Sequence, residues 1–414
     1  MAHKVSFWNR YRQLDFSEKS LGILYFVALV PCVFFFLQGL NARIGLSFLN
    51  PNIRLEIYIL LVALCIKKMS RVLNVWDYLF VIGVGAFCFW SPSIYPKTSE
   101  AVKEFAPYFV FSCLPFYFIG RTFQLDKYYE LIIYIGRIGL VLSILFFLLV
   151  SLRIITRLAG LNDDNMFYAY LSLPSVIILL CSELRKHNLT DFILVVLGMA
   201  QLLALGTRGP CVLCMAFICI FLFFKEVKHK WLFMLGLFFL LIIIMLFSAY
   251  LFEILNNIVL MLGGSNRVIE HMQGNNLVNS YNRDWIYEII IYEISRGDVF
   301  GSGFFYDRTI LGMEQGSYCH NFFLEIWLDF GLYIGSFLLF ILMAMISFNL
   351  IKNKEGKSRQ LYLSFFFALF GQLIFSSSYL ESPNFWLFIG VTVASIKNIN
   401  MANGSSSRIS IGNV

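Results

Sequence analysis

The sequence predicts an all-α, polytopic membrane protein, and three observations lead to that class. Of the 414 residues, 59% are hydrophobic and only 14% charged, with a mean hydropathy of +0.75. A soluble domain is closer to about half apolar and about a quarter charged. Apolar runs of ~20 residues, the length a helix needs to cross the hydrocarbon core, recur along the whole chain. The short alternating strands of a membrane β-barrel do not occur in the sequence.

The first 20 residues set Lys4, Arg10, Arg12 and Lys19 among Phe7, Trp8, Tyr11 and Phe16, a basic and aromatic lead-in suited to a membrane surface. The apolar run after it, near 21–40, has no small-residue cleavage site and reads as an uncleaved first span. Further spans are expected near 53–66, 75–91, 103–120, 128–150, 165–184, 189–205, 209–225, 230–254, 320–350, 359–379 and 384–398, about twelve in all. The whole chain, 1–414, reads as one integral membrane domain, and the small polar tail from Asn400 is expected to be disordered.

Orientation follows from the loops. Lys67, Lys68 and Arg71, then Arg121 and Lys127, Arg185 and Lys186, Lys225, Lys228 and Lys230, and Lys352, Lys354, Lys357 and Arg359 all fall on one side. That side holds both tails and is expected to be cytoplasmic. The cations of the other side are mostly arginines: Arg153, Arg157, Arg208, Arg267, Arg283, Arg296 and Arg308. A guanidinium fork suits bidentate binding of phosphate or carboxylate, whereas the same residue can also simply anchor a helix end in the headgroups.

The net charge of +7 is accounted for by this loop bias and implies no nucleic acid partner. Eight of the nine cysteines lie in apolar segments, including the Cys211–Cys214 pair, whose CxxC spacing inside a helix reads as packing. Cys319 alone is expected to face solvent. No HExxH, P-loop, Gly-x-Ser-x-Gly or DxD occurs, and the five histidines are scattered, so neither a metal nor a cofactor is expected.

Chemistry is therefore sought in the polar stretches of the outer side. Residues 255–319 form one long loop there, and a loop of that length is usually functional. Within it, Ser280 or Asn282 can cap an amphipathic helix that opens on Arg283 and Asp284, runs through Trp285, Ile289 and Ile294, and stops at Gly297. Gly301-Ser-Gly303 then turns the chain. His320 and Asn321 head the next apolar helix. Asn321, Glu325 and Asp329 share one face of it, which must look into the protein because carboxylates are costly against lipid. Gly331 and Gly335 permit a close helix contact below. For His320 the alternative to a catalytic role is a hydrogen-bonded interfacial histidine.

Three further places hold polar groups. Gly206-Thr-Arg208-Gly-Pro210 is a tight outer turn that fixes an arginine at the surface. Arg153 and Arg157, followed by Asp163, Asp164 and Asn165, form an outer loop in which internal ion pairing is expected. Arg137 sits mid-span between Gly136 and Gly139, with Glu56 and Glu104 as candidate partners in a structural pair.

Taken in order, Gly-Thr-Arg208-Gly, then Asn-Arg283-Asp-Trp with Gly301-x-Gly303, then His320-Asn-Phe-Phe-Leu-Glu and Phe-Gly331 resemble the bacterial O-antigen polymerase and O-antigen ligase superfamily over about residues 200–340. Arg157-x-x-Gly160 with Asp164 and Asn165 also looks like that pattern. The resemblance implies a GT-C-like membrane fold and an inverting, metal-independent glycosyl transfer at the periplasmic face of the bacterial inner membrane. The implied donor is an oligosaccharide on undecaprenyl diphosphate. The acceptor is another lipid-linked repeat unit for a polymerase, or the lipid A core for a ligase, and a chain-length regulator is a further implied partner. In such a reaction Arg208 and Arg283 would stabilise the departing diphosphate. His320 would be the base, with Glu325 in reserve, while Arg157, Asn165, Asn321 and Glu325 would bind substrate. A lipid-linked sugar flippase is the reading from another class, with Arg137 as its main support.

Overall fold

A computed structural model of the chain describes residues 16–34, 37, 53–151, 165–205, 208–224, 283–297, 300–312, 318–353 and 356–411. Arg157, the expected span 230–254 and most of the long loop lie outside the described residues, as do the side chains of Asn165 and Arg208. Every element among the described residues is helical. In chain order they are α1 (Phe16–Leu29), α2 (Ile53–Val72), α3 (Val75–Ile94), α4 (Ser99–Tyr108) and α5 (Phe116–Arg121). Then come α6 (Leu125–Ser151), α7 (Asn165–Lys186), α8 (Leu189–Ala204), α9 (Arg208–Phe224) and α10 (Arg283–Arg296). The last five are α11 (Tyr306–Leu311), α12 (Phe322–Lys352), α13 (Gly356–Phe365), α14 (Gln372–Phe375) and α15 (Pro383–Ile411).

Four of these, α3, α6, α7 and α12, contain apolar stretches long enough to cross a membrane, and α8 and α9 are shorter apolar helices. The protein is thus an all-α membrane protein. Two expected spans pass through π-helical turns. The run 103–120 passes from α4 into a π-helical turn, Phe109–Cys113, and restarts as α5. Pro115 is the cause, because it donates no N–H and its ring crowds the carbonyl four residues back. The run 359–379 is broken likewise by a π-helical turn at Phe366–Phe370, where Phe366 stacks on Phe370 at 5.3 Å and packs on Phe388 at 5.9 Å. The tail expected to be disordered continues α15 to Ile411, as propagation of a formed helix costs far less than starting one.

The chain divides into two compact units, residues 1–21, 62–129 and 280–414 in one and 22–61 and 130–279 in the other. In the second unit, small residues bring α6, α7 and α8 together. A Cβ on Gly136 would lie 2.8 Å from Ile178 Cγ2, and one on Gly198 would lie 2.9 Å from Val176 Cγ2. That closeness delivers Arg137 to Asp191, not to Glu56 or Glu104. Arg137 Nε and Nη2 donate to the two Asp191 oxygens at 2.6 and 2.9 Å, and Ser182 Oγ donates to the same carboxylate at 2.7 Å. Asn188 caps α8 and so places Asp191 in its first turn, fully buried. The sequence spacing could not show this pairing across 54 residues.

In the first unit a second bidentate pair ties α3 to α5. Asn74 and Asp77 close a capping box at the start of α3. Asp77 also accepts from Arg121 Nε at 2.6 Å, Arg121 Nη2 at 3.1 Å and Tyr117 Oη at 2.7 Å. Beside it, α5 and α15 cross at Gly120 and Gly390. A Cβ on Gly120 would lie 2.9 Å from the Gly390 Cα, too close for any side chain. Overpacking such a contact costs about 1–3 kcal/mol or more. Gly390→Val is therefore expected to lower the thermal midpoint of the purified protein in detergent by several degrees, and an unchanged midpoint would show that the crossing is not close-packed.

Candidate functional site

The first unit gathers its polar side chains around one short segment, Phe375–Glu381, which links α14 to α15. It covers the end of the expected span 359–379 and runs on to Glu381, and its sequence, Phe-Ser-Ser-Ser-Tyr-Leu-Glu, is polar and small among aromatic neighbours. Nearly every residue of interest in α10, α11 and α12 bonds to it.

From α10, Arg283 Nη1 donates to the Phe375 carbonyl at 2.8 Å. This helix opens on Arg283 and closes on Arg296, as the sequence predicts, while its proposed caps Ser280 and Asn282 lie outside the described residues. Ile286 and Ile290 bury one face of α10 against Tyr306, Cys319 and Leu328. Trp285, Ile291 and Tyr292 stand exposed on the other faces, beside Asp284 and Glu288.

From α12 come the two carboxylates. Glu325 is 1% exposed and Asp329 2%, so their shared face does look inward. Ser378 Oγ donates to Glu325 Oε1, the Tyr379 N–H to Glu325 Oε2 at 3.2 Å, and Tyr379 Oη to Asp329 Oδ2 at 2.6 Å. Asp329 Oδ1 has no hydrogen-bond partner among the described residues. Asn321 is the N-cap, accepting from the Phe323 and Leu324 N–H groups at 3.0 and 3.2 Å. Its side chain is thus engaged by the helix start, which weakens its assignment to substrate.

His320 does not open the helix itself. It precedes the cap in a left-handed conformation, φ 54°, which a non-glycine residue adopts only where its surroundings hold it. The holding contacts are visible on both sides. Asp307 Oδ2 accepts the Cys319 N–H at 3.0 Å, and the rings of Tyr318 and His320 lie 3.8 Å apart. Tyr318 Oη in turn meets Ser376 Oγ at 3.5 Å.

Between these groups lies Arg308, which the sequence identifies only as one outer arginine among seven. It is 1% exposed. Its Nη2 pairs with Glu381 Oε1 at 2.9 Å and its Nη1 lies 3.6 Å from Asp307 Oδ2. The guanidinium sits 4.8 Å from the Tyr318 ring centre and 5.6 Å from that of Phe105. Burial opposes its charge, but the carboxylates of Asp307, Glu381 and Glu325 outweigh that and hold it protonated. The only sequence signals for it are the adjacent acid in Tyr306-Asp-Arg308 and the lone Glu381 between two apolar runs.

The glycine turn serves this arrangement. Gly331 has φ 77° and ψ 165°, a region open essentially to glycine, and it kinks α12. The carbonyls released by the kink are taken by the preceding turn: Ser302 N–H donates to Leu328 O at 2.9 Å and Gly303 N–H to Asp329 O at 3.1 Å. The Gly331–Gly335 spacing therefore serves the kink. A Cβ on Gly335 would lie 2.9 Å from Ile326 O, within the same helix, and not against a neighbouring one.

Cys319, expected to face solvent, is fully buried in the α10–α11–α12 cluster. Its neighbours Ile290 and Leu328 close over it because the chain turns inward to bring the Cys319 N–H to Asp307. Burial, and after it the charges of Glu325 and Asp307, push its thiol well above the ordinary range. All nine cysteines are free thiols.

Of the expected site residues, Arg283, His320, Asn321 and Glu325 thus meet in one unit around Phe375–Glu381. Arg208 opens α9 and Asn165 opens α7, both in the other unit, and Arg157 lies outside the described residues. Among the described residues no group of three or more His, Cys, Asp or Glu is placed to hold a metal ion. Chemically, the cluster in the first unit combines two cationic guanidinium groups, an imidazole and buried carboxylates. That combination can bind an anion and accept a proton from a hydroxyl. No family model, curated protein or solved structure matches the chain.

Two expectations test this geometry. Gly331→Ala forces a side chain into the kink and is expected to cost about 1–3 kcal/mol, read as a fall in the thermal midpoint. An alanine variant as stable as the native protein would remove the case for the kink. Cys319 is expected to resist maleimide labelling at neutral pH in a variant that keeps it as the sole cysteine, and to react once denatured. Rapid labelling of the folded form would contradict its burial.

Proposed function

We propose that this protein is a polymerase of a bacterial surface polysaccharide, joining oligosaccharide repeat units carried on undecaprenyl diphosphate. The observation that carries the reading is the convergence of Arg283 and Glu325, taken from two separate motifs, on the Phe375–Glu381 segment, with the His320 ring against Tyr318, whose hydroxyl meets Ser376 of that segment. On this reading the chain has about twelve spans in a GT-C-like arrangement, both termini are cytoplasmic, and the cluster opens to the periplasm.

The transfer then proceeds by inversion. A hydroxyl of the acceptor sugar attacks the anomeric carbon of the donor, and the bond from that carbon to the diphosphate oxygen breaks. The hydroxyl proton passes to the His320 imidazole, and undecaprenyl diphosphate leaves with the bonding electron pair. Arg283 stabilises the charge that grows on the diphosphate, an effect strengthened where water is excluded, and Arg208 keeps the same role from the motif alone. Asn321 caps α12, and the start of that helix favours negative charge near it. Arg157 and Asn165 remain assigned to the donor sugar or diphosphate from the motif alone.

Transfer of finished polysaccharide to lipid A core is the other outcome within the same superfamily, since the motifs are shared. A lipid-linked sugar flippase is the reading from another class, and Arg137, paired with Asp191, is its main feature.

Deletion and complementation test the proposal. Loss of the polysaccharide ladder with one repeat unit still on the core supports a polymerase. Bare core with accumulated lipid-linked polymer supports a ligase. His320→Ala, Arg208→Ala and Arg283→Ala are each expected to lower polymer formation by about 10²-fold or more at unchanged protein level. Arg208→Lys is expected to be poor as well, because the fork is lost. A normal ladder in His320→Ala would sink the base assignment.

A further inference from the structure

We propose that Arg308 is a positioning residue that sets the ring orientation of His320 through Tyr318. This rests on the polymerase reading for its consequence, but the geometry stands without it. Three observations combine. Arg308 is buried, with its guanidinium paired to Glu381 at 2.9 Å and 3.6 Å from Asp307. Its guanidinium carbon lies over the Tyr318 ring, 4.8 Å from the ring centre, and that ring meets the His320 ring at 3.8 Å with a tilt of 42°. Asp307 separately holds the Cys319 N–H at 3.0 Å, one residue before His320, whose φ of 54° must be enforced from outside.

The contacts form one column of successive neighbours, Phe105, Arg308, Tyr318 and His320, with the last two rings tilted by 42°. Its base is rigid. Phe105 packs on Phe305 at 6.0 Å, and Phe305 is itself in the left-handed region, φ 61°, as the cap of α11. A base must be held within a fraction of an ångström of the proton it takes, and an error of about 1 Å can cost about 10²-fold in rate. Arg283 binds backbone at Phe375 and is not part of this column. The ion pair of Arg308 with Glu381 is also the link between the column and the segment that holds Glu325, so both reserve and principal base are referred to one frame.

The test has a structural arm and a cellular arm. The purified protein carrying 13C-labelled histidine is examined by NMR, with the His320 ring signals assigned from their loss in His320→Gln. Stacking on Tyr318 should displace those signals upfield, and Tyr318→Leu should abolish the displacement. Arg308→Gln should abolish it too, while Tyr318→Phe should keep it. Where Arg308→Gln does not fold because Asp307 and Glu381 are left uncompensated, Arg308→Lys retains the charge but not the planar face and gives the same reading. In cells, polymer formation should fall about 10²-fold in the variants that lose the displacement and stay normal in Tyr318→Phe. The Arg308→Gln, Tyr318→Leu double variant should be no worse than either single one, as expected of residues acting through one column.

A retained displacement in Arg308→Gln or Arg308→Lys would overturn the proposal. So would lost displacement with a normal ladder, or fully multiplicative losses in the double variant. If deleting the protein leaves the polysaccharide unchanged, the polymerase reading falls, and the NMR arm alone still decides whether Arg308 orients His320.

Discussion

The arrangement of the first unit depends on keeping two carboxylates out of lipid. Glu325 and Asp329 lie one turn apart near the start of a long apolar helix, and an unsatisfied carboxylate there would cost several kcal/mol. The protein answers with Ser378 and Tyr379, which supply two hydroxyls and a backbone N–H from a distant segment of the chain. Once that segment is drawn to α12, its two ends are committed as well. Phe375 receives Arg283, and Glu381 receives Arg308.

The same requirement explains why the helices of this unit are irregular. A continuous α12 would use the Leu328 and Asp329 carbonyls internally; the kink at Gly331 releases them to the Gly301–Gly303 turn. That turn leads directly into α11, which carries Asp307 and Arg308. Local helix geometry is given up where it lets the outer segments pack over the acidic face. The π-helical turns at Phe109–Cys113 and Phe366–Phe370 fall next to the same aromatic core, in which Phe109 packs on Phe304 and Phe305, and Phe370 on Phe322. Irregular turns of this kind frequently accompany functional sites.

Much of this arrangement is legible in the amino-acid sequence. The helix Arg283–Arg296, the Gly301–Gly303 turn, the inward face of Glu325 and Asp329, and the packing of Cys214 follow from caps, period and the cost of burial. Arg308, Tyr318 and the Phe375–Glu381 segment are not legible as a site. Each is ordinary in its local context, and only contacts across 50 residues or more give several of them a role. Cys319 and Arg137 mislead for the same reason. Polar neighbours in sequence suggest exposure for Cys319, yet the fold buries it. The carboxylate that meets Arg137 is Asp191, on a helix two elements further along the chain.

Hydrophobicity along the chain by itself determined the class of protein, the membrane as its solvent, and the need for the acidic face of α12 to turn inward, because those are consequences of local composition. Tertiary structure decided which arginine is buried and what it pairs with. It also decided that His320 sits in a strained turn before its helix, and that one short serine-rich segment joins three helices. Those outcomes depend on satisfying buried charge, and a buried charge is satisfied by whatever the fold brings near, at any separation along the chain.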